Sequence, residues 1–126
     1  MPAWDRVVVV SKARLPMGKF GGSLRDFTVH ELGAMVIREV LNRAGLEAEQ
    51  VDEVIMGHCR QAGTGANPAR KAAILAGIPP RVPSVTINKA CPASLKATIF
   101  GAESILAEEN KVVIIGGMES MSNIPH

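Results

Sequence analysis

Apolar positions along the chain alternate between two rhythms. Val7-Val8-Val9-Val10 is a β-branched run with no polar interruption, the pattern of a strand buried on both faces. Val29, Leu32, Gly33, Val36, Ile37, Val40, Leu41 and Ala44 then recur at helical spacing and predict one core-facing stripe. That helix is signalled at both ends. Thr28 and Glu31 have the spacing of a capping box, Phe27 can staple onto Leu32, and Gly45 fits the residue just past the last turn. Val51 to Met56 predicts the next strand, although Asp52 and Glu53 weaken its start. Asn67-Pro68 opens a short helix that Gly77 stops, and Pro79, Pro80 and Pro83 hold an extended approach to a strand at Ser84–Asn88. Leu95, Thr98, Ile99, Ala102, Ile105 and Leu106 mark the stripe of a further helix, and Val112-Val113-Ile114-Ile115 is a last strand closing on Gly116-Gly117.

Four strands alternating with helices predict an α/β domain with a largely parallel sheet and right-handed crossovers. There is no internal repeat, low-complexity tract or interdomain linker. The loop between Val10 and Thr28, with Pro16, Gly18, Gly21 and Gly22, is longer than a usual connection. It reads either as a functional or interface-forming loop or as a mobile surface one. Lys19 and Arg25 on it make a solvated basic loop, since one Gly-Lys pair is no phosphate cradle.

Composition narrows the function classes. At 47% hydrophobic residues the 126-residue chain has material for a core, and one Trp, three Phe and no Tyr make that core aliphatic. Few aromatics leave no stacking platform for bases. The net charge of +2 is dispersed, so nucleic acid is not an expected partner. No apolar run approaches the roughly twenty residues that cross a bilayer, and a membrane is not expected either. Met1 to Arg6 has no secretory pattern, which with two cysteines thirty-two positions apart predicts free thiols in a reducing, cytoplasmic compartment. His58-Cys59 lacks the paired spacing of a zinc site, so no metal is expected.

Cys91 carries the chemistry. It stands between a β-branched segment and a helix, with Pro92 at what the pattern makes the first helical position. A thiol at a helix N-terminus meets unpaired N–H groups and the positive end of the dipole, a setting that can lower a thiol pKa from about 8.5 to roughly 3.5–7.5. Alone, such a cysteine is more ordinarily read as a small buried hydrophobe. Elsewhere, His30 falls outside its helix stripe and is expected to be exposed; Arg70 and Lys71 read as a solvated face, and Met118 and Met121 as packing residues. Glu119, just past a strand, is placed either to act chemically or, more ordinarily, to accept hydrogen bonds from neighbouring loop N–H groups.

The run Val85-Thr86-Ile87-Asn88-Lys89-Ala90-Cys91 is preceded by Arg14-Leu15-Pro16-Met17-Gly18-Lys19-Phe20-Gly21-Gly22, Val54-Ile55-Met56-Gly57-His58 and Gln61-Ala62-Gly63-Thr64-Gly65-Ala66-Asn67-Pro68-Ala69-Arg70. It is followed by Gly116-Gly117-Met118-Glu119-Ser120-Met121-Ser122-Asn123. In this order and spacing the motifs resemble the N-terminal part of a thiolase of the acetyl-CoA acetyltransferase type, from about Val7 onward. Ketoacyl synthases share a strand–Cys–helix arrangement, but the Gln-Ala-Gly and Asn-Pro-Ala-Arg motifs point to thiolase.

The resemblance implies a thiolase-like fold in which residues 1–126 are the N-terminal part of the N-terminal domain, with the cysteine on a central helix and the C-terminal catalytic half absent. It implies that Cys91 is the nucleophile taking an acyl group from acyl-CoA, its own N–H serving as one oxyanion donor. The reaction is then Claisen condensation or thiolysis of 3-ketoacyl-CoA, with coenzyme A thioesters as substrates and no permanently bound cofactor. The family's other groups are a histidine in a Gly-His-Pro context, a second cysteine in a Gly-rich loop and an asparagine that holds water. No motif here matches them: His30, His58 and His126 are not assigned the base role, nor Cys59 that of second cysteine.

Expected partners are therefore acyl-CoA or CoA, a complementary C-terminal thiolase polypeptide or the remainder of the chain, and other copies in a homo- or hetero-oligomer. The alternative is a non-catalytic thiolase-like interaction subunit or scaffold fragment. Ala93 and Ser94 depart from the serine and glycine usual after the nucleophile, and Ser94 is expected to occupy a slightly widened gap or to bond back to its helix.

Overall fold

The computed structural model of the chain describes residues 3–125; His126 lies outside them. Helix α1 runs Val29–Ala44 and ends where its sequence says it should. Thr28 Oγ1 accepts the Glu31 N–H at 3.2 Å while Glu31 Oε2 accepts the Thr28 N–H at 2.7 Å, and that second bond, with one from the Thr28 hydroxyl at 3.0 Å, holds the Glu31 carboxyl below the usual range. Gly45 takes a left-handed φ of 65°, and the Leu46 N–H reaches back to the Leu41 carbonyl at 3.1 Å. Helix α2 spans Pro68–Leu75 with Asn67 as its cap, and α3 spans Ala93–Leu106.

Three parallel strands, β1 (Glu53–Gly57), β2 (Ser84–Ile87) and β3 (Val113–Gly117), form a sheet of order β2-β1-β3. Val54 pairs with Ser84 on one side and Ile114 on the other, setting the register of both ladders. The acidic pair that weakened the β1 prediction has a use. Asp52 accepts the N–H groups of Lys111 and Val112 at 2.7 and 2.9 Å, pinning the start of β3, and the same bonds hold its carboxyl below the usual range.

Side-chain alternation sorts the helices onto two faces. Val54, Met56 and Ile114 join Val29, Ile37 and Leu41 of α1 and Ala69, Ala72 and Ala73 of α2 in one buried cluster. The opposite face receives α3: a Cβ on Gly57 would lie 2.5 Å from backbone atoms of Ala93 and Ser94, and one on Gly101 would lie 2.5 Å from Ile115 Cγ2. The chain moves from β1 to β2 through α2, then crosses back over β1 to β3 through α3. Reversing direction while keeping one crossover hand requires the two helices to take opposite faces.

Several expectations are corrected. Val7–Val10 joins no ladder, and Val9 is 82% exposed. A cavity of about 640 Å³ separates it from the sheet, with Val9 on its wall as well as Ile114 and Ile115; a β-branched run without a neighbour at ladder distance has nothing to bond to. The observed sheet thus has three strands among the described residues where four were expected. The stripe assigned to α3 is also the wrong one. Ala93, Ala97 and Gly101 are its buried positions, while Leu95 is 62% exposed and Ile99 and Phe100 are exposed too. Small residues let this helix lie close on the sheet, and large apolar residues on its outer side leave periodicity no single face to choose.

The long loop is neither free nor formless. Gly21 N–H donates to Ser122 Oγ at 2.8 Å, and Asn123 Nδ2 donates to the carbonyls of Arg25 and Phe27 at 3.0 and 2.8 Å. Arg70, expected on a solvated face, instead clamps the carbonyls of Val82 and Pro80, both at 2.8 Å. Met118 packs in the core as expected; Met121 does not, and is exposed.

Candidate active site

The carboxyl ends of all three strands converge, which is where parallel α/β sheets gather functional groups. From β1 come His58, Cys59 and Arg60; from β2 the run Asn88 to Cys91; from β3 Met118 and Glu119. The ladder extends one residue at each side, with His58 N–H on the Ile87 carbonyl at 2.9 Å and Met118 N–H on the Gly57 carbonyl at 3.0 Å.

Cys91 is exposed and its thiol is free. It lies in a turn closed by the Ala93 N–H on the Ala90 carbonyl at 3.1 Å. The N-cap of α3 is Pro92, with Ala93 as its first residue, so the helix begins one position later than expected. No side chain caps α3, and the Cys91 N–H donates to no acceptor among the described residues. An exposed thiol and an unspent N–H on the same residue are therefore presented together. Ala90 just before it has φ 50°, a left-handed conformation that an alanine disfavours.

Ser94 packs against the end of β3. A Cβ on Gly117 would lie 2.7 Å from Ser94 Cβ, so the last glycine of β3 leaves the room that the serine takes. Gly57 does the same for the backbone of this first turn. Two glycines that read from sequence only as strand ends thus form the seat of the cysteine-bearing helix.

Glu119 takes the ordinary role weighed for it. Its Oε2 accepts the Cys59 N–H at 3.0 Å and the Arg60 N–H at 3.2 Å. Its Oε1 stands 3.0 Å from Nδ1 of His58, a close polar contact lacking the alignment of a good hydrogen bond. His58 is 1% exposed, and burial pushes its imidazole pKa down against the upward pull of the Glu119 carboxylate. His30 corrects its prediction outright: it is buried, with Nε2 at 2.8 Å from the Thr64 carbonyl. Among the described residues neither histidine side chain hydrogen-bonds to the Cys91 turn.

The family described as the N-terminal domain of thiolase matches residues 7–126. The chain belongs to the thiolase family. Its relatives include an acetyl-CoA acetyltransferase of Cupriavidus necator, 54% identical over 120 residues, which cover 95% of this chain and 30% of that protein. The cytosolic acetyl-CoA acetyltransferase of Mus musculus is 48% identical over 122 residues, 97% of this chain and 31% of the relative. Among solved structures, the acetyl-CoA acetyltransferase of Bacillus anthracis superposes with a TM-score of 0.90 at 42% identity, over 94% of this chain and 30% of that one. The chain thus spans about a third or less of the thiolases it matches.

Sequence reasoning singled out Cys91 in this thiolase chain and missed what surrounds it. Asn88 donates from Nδ2 to the Cys59 carbonyl at 3.0 Å and accepts the Ala90 N–H on Oδ1 at 2.9 Å. An asparagine two residues before a kink is the signal of an Asx turn, and the sequence carried it. The left-handed φ of Ala90 had no such signal, since alanine gives no hint of it. Among the described residues no three His, Cys, Asp or Glu side chains converge as a metal site requires, and no helix is long and apolar enough to cross a membrane.

Proposed function

We propose that this chain supplies the nucleophile half of a thiolase active site: Cys91 takes the acyl group of an acyl-CoA as a thioester. The observation that carries the reading is the joint presentation of a free, exposed thiol and an unpartnered N–H on Cys91 at the carboxyl edge of the sheet. In the first half-reaction the sulfur attacks the thioester carbonyl, the carbonyl electron pair moves onto oxygen beside the Cys91 N–H, and collapse expels CoA thiol. The Cys91 proton ends on that thiol. Splitting a Claisen exchange into acylation and deacylation makes two easier steps from one, and an N–H aimed at the developing oxyanion lowers the barrier to both.

The other reacting groups, a base histidine, a second cysteine and a water-holding asparagine, would come from the remainder of the polypeptide or from a complementary one. In that arrangement residues 1–126 are most of the first of two domains. The outward apolar face of α3, with Leu95, Ile99 and Phe100, supports burial against such a partner or another copy. The substrates are coenzyme A thioesters, as the names of the relatives suggest, and the step just written needs no resident cofactor. Free cysteines and the cytosolic designation of the mouse relative support a reducing, cytoplasmic setting.

Acetoacetyl-CoA cleavage by free CoA tests this. The chain would be assayed alone and beside a sample supplied in trans with the remainder of the Cupriavidus necator relative. Turnover is expected only in the second tube, together with a single acetyl adduct that peptide mapping assigns to Cys91 and that Cys91→Ser abolishes. Turnover by the chain alone, or an adduct on Cys59, would overturn the reading.

A further inference from the structure

We propose that Asn88 is the positioning residue of the Cys91 turn, holding Ala90 in its left-handed conformation and so aiming the Cys91 N–H. This rests on the reading of Cys91 as acyl acceptor and adds a residue to it. The φ and ψ of Ala90 set the plane of the Ala90–Cys91 peptide, hence the direction of the N–H that would meet an oxyanion. An alanine at φ 50° does not stay there unaided.

The restraint is a chain of bonds across the strand ends. Asn88 Oδ1 accepts the Ala90 N–H at 2.9 Å, and Asn88 Nδ2 donates to the Cys59 carbonyl at 3.0 Å. Cys59 is itself gripped from the other side, where its N–H donates to Glu119 Oε2 at 3.0 Å. Glu119 is fixed in turn by the Arg60 N–H at 3.2 Å and by its 3.0 Å contact with buried His58. The turn is therefore referenced to the rigid ends of β1 and β3 through one carboxamide. Only a side chain with a donor and an acceptor on one carbon does both jobs; aspartate lacks the donor and alanine lacks both.

Two readouts test the assignment in the sample reconstituted as above, on wild type, Asn88→Ala and the pair Asn88→Ala with Ala90→Gly. The first is the backbone conformation of residue 90, from NMR couplings and Cα shifts. The second compares acetylation of Cys91 by acetyl-CoA with its alkylation by iodoacetamide. Acetylation develops an oxyanion; alkylation at a saturated carbon does not. In Asn88→Ala, residue 90 should move to negative φ and acetylation should slow about 10- to 100-fold, the penalty of a misplaced donor. Alkylation should change far less. Glycine adopts the left-handed region without a Cβ clash, so the added Ala90→Gly should restore part of the acetylation rate.

Should Asn88→Ala fail to fold, the double variant should fold again; its failure to do so overturns the proposal. So does a residue 90 that keeps its positive φ in Asn88→Ala, or a parallel loss of acetylation and alkylation. A wild-type sample whose Cys91 is never acetylated sinks the nucleophile reading alone, because the conformation of residue 90 still decides the role of Asn88.

Discussion

Helices α1 and α3 pack on opposite faces of one small sheet and are built on opposite plans. Helix α1 opens on a complete capping box, closes on a left-handed glycine and buries a stripe that includes Val29, Ile37 and Leu41. Helix α3 opens on a proline without a side-chain cap, two residues after a strained alanine, and touches the sheet through Ala93, Ala97 and Gly101. The first arrangement maximises buried apolar volume and satisfied backbone groups. The second brings a helix axis close to the strands, with glycines on β1 and β3 clearing its first turn. One helix holds the domain together, and the other sets where Cys91 stands. If so, α1 should be sensitive to side-chain atoms removed and α3 to atoms added.

The largest effect is expected from removal at α1. Ile37 is among the most completely buried large side chains, packed in the cluster that unites α1, α2 and the sheet. Ile37→Ala deletes three carbons and leaves a cavity that backbone on two sides cannot fill, which costs about 2–5 kcal/mol. Urea denaturation of the chain should show a midpoint lowered accordingly with an unchanged slope. A loss below about 1 kcal/mol would mean that the cluster relaxes and that α1 is not the stabilising element claimed here.

How much of this contrast could be read from sequence follows from the same physics. For α1 every local cue agreed, with cap, stripe and terminating glycine all selecting one answer. The three strands of the sheet were legible to within two residues at each end, since apolar β-branched runs between turn residues admit few alternatives. Val7–Val10 had an equally good run, but a strand is a property of a pair and its own residues do not reveal its neighbour. The face of α3 was illegible for a different reason. Leu95 and Ile99 look like core residues, yet close approach of helix to sheet rewards Ala97 and Gly101 instead. At the candidate site the motif around Cys91 was plain. The roles of Asn88, Gly57 and Gly117 were not, because each acts on a residue distant in sequence or on backbone rather than through chemistry of its own.

Addition near α3 comes next in size. A methyl on Gly57 would stand 2.5 Å from the Ala93 carbonyl carbon and the Ser94 nitrogen, atoms of the helix backbone that have no rotamer to yield. Gly57→Ala should therefore cost about 1–3 kcal/mol through overpacking. Unlike Ile37→Ala it should also disturb the turn that presents the thiol. Comparing iodoacetamide labelling of Cys91 between the two variants under fully native conditions separates the plans: a changed rate is expected in Gly57→Ala and an unchanged one in Ile37→Ala. Equal rates in both would show that α3 shifts as a rigid body and that its first turn is not the sensitive point.

The smallest effect belongs to the outer face of α3. Leu95 is 62% exposed, and Lys96 lies 4.3 Å above the ring of Phe100 one turn on, so this surface is already partly screened without Leu95. A leucine left in water on both sides of the folding equilibrium contributes little to it. Leu95→Ser should change the stability of the chain by no more than about 0.5 kcal/mol in either direction, apart from the few tenths by which serine is the poorer helix former. Its effect should surface instead on association. If the apolar face of α3 is covered by the complementary part of a thiolase, Leu95→Ser should weaken reconstitution with the remainder of the Cupriavidus necator relative, read as the concentration needed for half-maximal turnover. Unchanged reconstitution with unchanged stability would leave Leu95 with no role in either, and the burial proposed for this helix face would have to be given up.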